Sequence, residues 1–129
     1  MTIAIDFDGT CVRHAYPDIG ENIPHAERVI KRLVEQGHQI ILWTMRSDRM
    51  ERQYLVEACT WFESKNIPLY GVNYNPSQGN WTESNKAYAQ VYIDDAALGC
   101  PLIYPDELSR PYVDWLGVEK LLESQNILK

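Results

Sequence analysis

The sequence predicts a single α/β domain built on a central parallel sheet. Three observations carry this. Short apolar runs alternate along the chain with segments of helical periodicity, one run (Gln39 to Trp43) is apolar nearly throughout, and three runs end in acids or a hydroxyl. A chain of 129 residues has the size of one compact core, which buries roughly two thirds of its unfolded surface. No internal repeat, low-complexity tract or Gly/Ser linker marks a boundary, so one domain is expected over residues 1–129.

The elements follow in order. Thr2 to Ile5 is a short apolar run with β-branched residues, and it stops at Asp6-Phe7-Asp8-Gly9-Thr10, where the glycine signals a turn. Pro24 opens a segment whose Ala26, Val29, Ile30, Leu33 and Val34 recur at helical spacing, and Gly37 closes it. Gln39 to Trp43 is the second strand. Ser47 or Asp48 then caps a helix to about Lys65, with Leu55, Ala58, Cys59 and Phe62 on its inner stripe. Leu69 to Val72 is a short third strand, and Asn73 to Asn80 is rich in Asn, Pro and Gly and reads as loop. A helical turn is expected over Glu83 to Ala89, a fourth strand over Gln90 to Ile93, a fifth over Leu102 to Tyr104, and a last helix from Tyr112 to about Ser124. Strand and helix in this alternation imply right-handed crossovers, with ligands beyond the carboxyl ends of the strands.

Composition excludes some functions. A 45% hydrophobic chain supports a packed interior, and no apolar run approaches the roughly 18 residues that cross a bilayer, so no membrane partner is expected. The N-terminus enters a strand directly, without the basic and greasy segments of an export signal. Cys11, Cys59 and Cys100 are scattered and lack zinc-ligand spacing, which fits reduced thiols in a cytoplasm. A net charge of -6 argues against nucleic acid as a general partner, because that affinity needs many cations along the phosphate backbone. It leaves an anionic small substrate open, since a bound metal reverses the sign of a site locally.

The chemistry gathers where strands end. The first strand delivers Asp6 and Asp8, the second Thr44, and the fourth Asp94 and Asp95. A parallel sheet brings these to one edge as four carboxylates and a hydroxyl. Such crowding is tolerated around a divalent cation, and hard oxygen ligands with room for water and phosphate suit Mg²⁺. Asp6 and Asp8 lie two apart, so an extended chain points both the same way. A carboxylate beside the metal attacks phosphorus, while the second carboxyl serves as general acid and then general base. Thr44 and the backbone N–H groups after it, beginning with Met45, open the expected helix and form an anion site. Lys86 lies eight residues before Asp94, where its ammonium meets the charge on a transferring group.

These residues resemble a known set. Asp6-Phe7-Asp8-Gly9-Thr10 after an apolar strand, Thr44 ending a second, Lys86, and Asp94-Asp95 after a further strand look like the four motifs of the haloacid dehalogenase superfamily, over residues 2 to about 104. The resemblance implies a Rossmann-like three-layer sandwich. It also implies that Asp6 is the phosphoryl acceptor, Asp8 the acid/base, and Thr44 with Lys86 the phosphate clamp. Asp94 is then a Mg²⁺ ligand with Asp6 and the backbone carbonyl of Asp8, and Asp95 supports the metal through water. Asp at the second position of the first motif points to phosphatase or phosphotransferase chemistry.

The chain departs from the larger members in having no room for a cap domain. Residues 11 to 23 suffice for a flap and 66 to 82 for a strand and loop. An open site takes a large substrate or borrows a neighbouring subunit as a lid, so a homo-oligomer is one expected state. The favoured function is hydrolysis of a small phosphorylated metabolite. The rivals are a phosphatase for a phosphoprotein or nucleic acid end, and a non-catalytic binding module, whose mark is a broken motif that this sequence lacks. Arg46 follows the clamp and reads either as surface or as a substrate contact. Tyr70, Tyr74 and Trp81 read as packing or as a lid over the site. His14, in the flap, reads as a surface imidazole or a recognition residue, and His25 and His38 as surface.

Overall fold

A computed structural model describes residues 1–129. Its strands are β1 (Thr2–Ile5), β2 (Gln39–Leu42), β3 (Gly71–Val72), β4 (Val91–Ile93), β5 (Leu102–Ile103) and β6 (Tyr112–Val113). Its helices are α1 (Ala26–Glu35), α2 (Tyr54–Ser64) and α3 (Trp115–Ser124). The main sheet is parallel, in the order β3-β2-β1-β4, with Ile3 opposite both Ile40 and Val91 and Ile5 opposite both Leu42 and Ile93. The chain steps outward from β1 to β3 and then returns to the far side of β1. The strand order therefore reverses between β1 and β4, which opens a crevice at their carboxyl ends.

The molecule is a single α/β unit of Rossmann-like, three-layer form. Ile3, Ile5, Ile40, Leu42 and Ile93 project to one face of the sheet, where they join the buried stripes of α1, α2 and α3 in a cluster of 23 residues. The intervening residues Ala4 and Ile41 are buried as well, which is why the strands read as continuously apolar. No helix is long and apolar enough to cross a membrane.

On the Ala4 and Ile41 face the expected helical turn at Glu83 to Ala89 does not form. The chain from Asn73 to Gln90 crosses in irregular conformation. Tyr92, level with Ala4 in the register, donates its hydroxyl to Ala87 O and accepts from Ala89 N–H. The buried amide of Gln78 replaces helical backbone pairing, donating to Ser84 O and Lys86 O and accepting from Tyr88 N–H. Asn75 donates to Tyr88 O and accepts from Ser77 N–H. Side-chain amides satisfying the backbone locally are what let this segment forgo regular structure.

Two further expectations change. The helix expected from Ser47 or Asp48 begins at Tyr54, yet Asp48 still caps it, its carboxylate accepting from Leu55 N–H at 3.0 Å and Val56 N–H at 3.1 Å across the intervening loop. The expected fifth strand pairs antiparallel with Tyr112–Val113 in a separate two-stranded sheet, because the last helix starts three residues late, after the Asp114 cap.

Replacing Gln78 by Ala leaves two carbonyls and an N–H without partners. Urea denaturation is expected to show a loss of about 3 kcal/mol.

Candidate active site

The ladder between β1 and β4 runs one residue past the strands, as Asp6 N–H donates to Ile93 O at 3.0 Å. That bond sets Asp6 beside Asp94 at the point of strand reversal. Asp6, Asp94 and Asp95 each offer a carboxylate oxygen, and these oxygens lie within 4.8 Å of one another. The loop after Asp6 turns back at once: Thr10 and Cys11 N–H both donate to Phe7 O, and Gly9 adopts φ 84°. A Cβ at Gly9 would strain this backbone and collide with His14 Nε2 and Asp95 Oδ2, so a side chain there would displace the pair that flanks the cluster. Buried Thr10 links the two halves of the cluster, its hydroxyl donating to Asp6 Oδ2 at 2.9 Å and accepting from Asp95 N–H at 3.2 Å. Trp115 Nε1 holds the Thr10 carbonyl at 2.6 Å, and Val113 N–H holds the Gly9 carbonyl at 3.0 Å.

Electrostatics at the cluster are unfavourable as the chain stands. Burial, and next to it the charge of Asp94, push the Asp6 carboxyl from 3.8 up to about 8. Asp94 is raised too, by burial first, with its bond from Ala96 N–H opposing and Asp95 adding to the rise. Three hard oxygen donors whose charges repel are a donor set that fits a divalent cation, which supplies the missing counter-charge. Asp95 is steadied from behind by His14 Nε2 at 2.8 Å.

Asp8 does not join this group. Its carboxylate turns to Arg46, whose Nε donates to Oδ2 at 2.7 Å and Nη2 to Oδ1 at 2.9 Å. Arg46 is 3% exposed and is further bonded to the carbonyls of Pro17, Asp18 and Tyr54. Its guanidinium stacks over Phe7 and Tyr16. The expectation that four carboxylates gather is thus corrected for the Asp8 side chain, because the buried guanidinium needs a counter-ion and takes this one. The metal contact that the resemblance implies for Asp8 is through its backbone carbonyl. Arg46, read as surface or a substrate contact, is a buried anchor for Asp8.

Thr44 stands two residues past β2 at the same strand edge. Its N–H donates to Asn73 Oδ1 at 2.7 Å and its hydroxyl accepts from Arg46 N–H at 3.1 Å. The anion site expected at a helix opening after Thr44 is corrected, since residues 45–53 form a loop. What remains is an irregular cradle: the N–H groups of Asp8 and Met45 bond to nothing in the chain, and Met45 is 97% exposed. Lys86 is not brought to the cluster. Its ammonium lies 5.2 Å from the Tyr92 ring centre on the exposed irregular segment, and it lines neither cavity at the site. Without a helix at Glu83 to Ala89, the residue that faces the site from this segment is Asn85.

A cavity of about 420 Å³ opens over the carboxylates and is also lined by His14, Tyr16, Thr44 and Arg110. An adjoining one of about 370 Å³ shares Asp6, Thr44 and Asp94 and adds Trp43, Asn73 and Asn85. Tyr16, Asn73, Asn85 and Arg110 carried no signal in the sequence, because each reaches the site by tertiary folding alone. His14 had one weak signal, its place eight residues after Asp6 in the flap. Tyr70, Tyr74 and Trp81 line neither cavity; Trp81 packs edge-on against Tyr88 and Tyr70 bonds Ser77. His38 bridges the N-terminal ammonium and Ile127 O, and His25 precedes α1.

Fold and site together define a Rossmann-like α/β protein with a carboxylate cluster at its strand-reversal crevice. No family model and no curated protein matches the sequence. A solved structure of a conserved protein from Bacteroides thetaiotaomicron is 35% identical, with 97% of this chain and 91% of that chain covered and a TM-score of 0.75. The chain belongs to the same family as that conserved protein.

Asp6→Asn removes one of the repelling charges and keeps an acceptor for Thr10. A carboxyl raised from 3.8 to about 8 weakens the fold progressively as pH rises through that interval. In chelator, the variant is therefore expected to be more stable than the parent by about 2 kcal/mol at pH 8, with the gain shrinking toward pH 5 in thermal melts at the two pH values.

Proposed function

We propose that the protein is a Mg²⁺-dependent phosphohydrolase of the haloacid dehalogenase type, acting on a small phosphate monoester through a phosphorylated Asp6. The observation that carries this reading is the convergence of the Asp6, Asp94 and Asp95 oxygens within 4.8 Å at the strand-reversal crevice, beside Thr44. A divalent cation held by these carboxylates would neutralise them and polarise the phosphoryl oxygens.

The chain's own groups supply the remaining steps. Asp6 attacks phosphorus in line, forming a carboxylate–phosphorus bond as the bond to the leaving oxygen breaks. The Thr44 hydroxyl and the free N–H groups of Met45 and Asp8 receive the phosphoryl oxygens, so the cradle is mostly backbone. Asp8 lines the same cavity and is the acid/base. As both its oxygens accept from Arg46, it is equipped to take a proton from the water that cleaves phospho-Asp6. Giving a proton to the leaving oxygen first requires the Asp8–Arg46 pair to loosen. A cavity of about 420 Å³ suits a metabolite better than a folded macromolecule.

Hydrolysis of p-nitrophenyl phosphate tests the reading. Turnover is expected with Mg²⁺, to vanish in chelator, and to fall at least about 1,000-fold in Asp6→Asn. Asp8→Asn is expected to lower kcat by about 100-fold or more, with acid-quench trapping of ³²P on the protein distinguishing the two steps. Equal slow release from the parent and Asp6→Asn would defeat the proposal.

A further inference from the structure

Tracing the cations around the carboxylates leaves one without a task. Arg46 is committed to Asp8 and three carbonyls. His14 is committed to Asp95, and Lys86 lies over Tyr92 outside both cavities. Arg110 differs. It faces the cavity that contains Asp6, Asp8 and Asp95, is exposed, and makes no ion pair, hydrogen bond or aromatic contact with the chain.

Its position is set by the fold. Arg110 stands in the connection between β5 and β6, where Asp106 organises the turn by accepting from Leu108 and Ser109 N–H and from the Ser109 hydroxyl. Asp106 is thereby occupied, and neither it nor Glu107, the other acid of this loop, forms an ion pair with Arg110. Three residues on, Val113 N–H bonds the Gly9 carbonyl, so the hairpin that carries Arg110 is fastened to the loop that carries Asp6 and Asp8. A guanidinium that lines one cavity with four carboxylates and has no partner in the chain is placed for an anion that is not part of the chain.

We propose that Arg110 selects the substrate by binding a second anionic group, a carboxylate or a further phosphate, on a phosphomonoester whose reacting phosphoryl group sits at Asp6. The inference rests on the phosphohydrolase reading for where the first phosphate lies. Arg110 is assigned to the second anion because Thr44, Met45 N–H and Asp8 N–H already serve the first, whereas Arg110 enters the same cavity from the β5–β6 connection and is exposed, as is the aromatic Tyr16 that also lines it. The substrate class is a small, doubly anionic metabolite, and the net charge of -6 makes such a cation the more necessary at the entrance.

Calorimetric titration of the whole chain with Mg²⁺ tests this using phosphonates, whose C–P bond makes turnover unnecessary. The parent is expected to bind 3-phosphonopropionate or propane-1,3-bisphosphonate at least about tenfold more tightly than propylphosphonate. The better of the two names the second anion as carboxylate or phosphate. Arg110→Ala is expected to erase that preference, Arg110→Lys to keep part of it, and Lys86→Ala to keep all of it. No binding of the doubly anionic probes, no preference in the parent, a preference surviving in Arg110→Ala, or one lost in Lys86→Ala would each overturn the proposal. A preference that depends on Arg110 in a protein that hydrolyses no phosphate ester would sink the phosphohydrolase reading and leave the anion site standing.

Discussion

The bond from Asp6 N–H to Ile93 O is the hinge of the molecule. It extends the pairing of two central strands by one residue, and that residue is an acid whose neighbour across the ladder is followed by two more. Left to themselves these carboxylates would separate. They stay together because Ile3, Ile5 and Ile93 are locked in a core of 23 residues, whose burial outweighs the repulsion at its edge. A folded chain that holds its least favourable charges at one crevice stores free energy there, which a counter-ion recovers.

Around that hinge the supporting bonds all serve orientation. Thr10 touches both acidic segments, Trp115 and Val113 fix the loop between them, and His14 fixes Asp95. Arg46 does for Asp8 what Thr10 does for Asp6. A buried guanidinium is tolerated only with its donors satisfied, and here a carboxylate and three carbonyls from separate segments satisfy them. The flap at Pro17 and Asp18, the start of α2 at Tyr54 and the first acidic loop are thereby drawn to one side chain. Changing Arg46 disturbs all three at once.

The two faces of the sheet are built on different principles. Helices cover one through apolar stripes at regular spacing, and these were legible in the sequence: α1 begins and ends within two residues of its expected bounds, and its buried residues are those of the expected stripe. The other face is covered by a connection that Gln78 and Asn75 hold together through their amides. Nothing in the composition of Glu83 to Ala89 distinguishes a helical turn from such a coil, because the deciding hydrogen bonds come from a glutamine several residues upstream. Losing that helix turned Lys86 away and left Asn85 facing the site.

Sequence alone determined the four strands of the main sheet, their parallel pairing and the gathering of Asp6, Asp94, Asp95 and Thr44 at one edge. Those follow from local periodicity and from the rule that parallel strands end on the same side. Only the tertiary structure decided what each acid faces. Asp8 met a buried arginine 38 positions away, Asp95 met His14, and Arg110 reached the cavity through a hairpin that pairs outside the main sheet. Side-chain partners across such separations are chosen by the packing of whole elements, and no run of neighbouring residues encodes them.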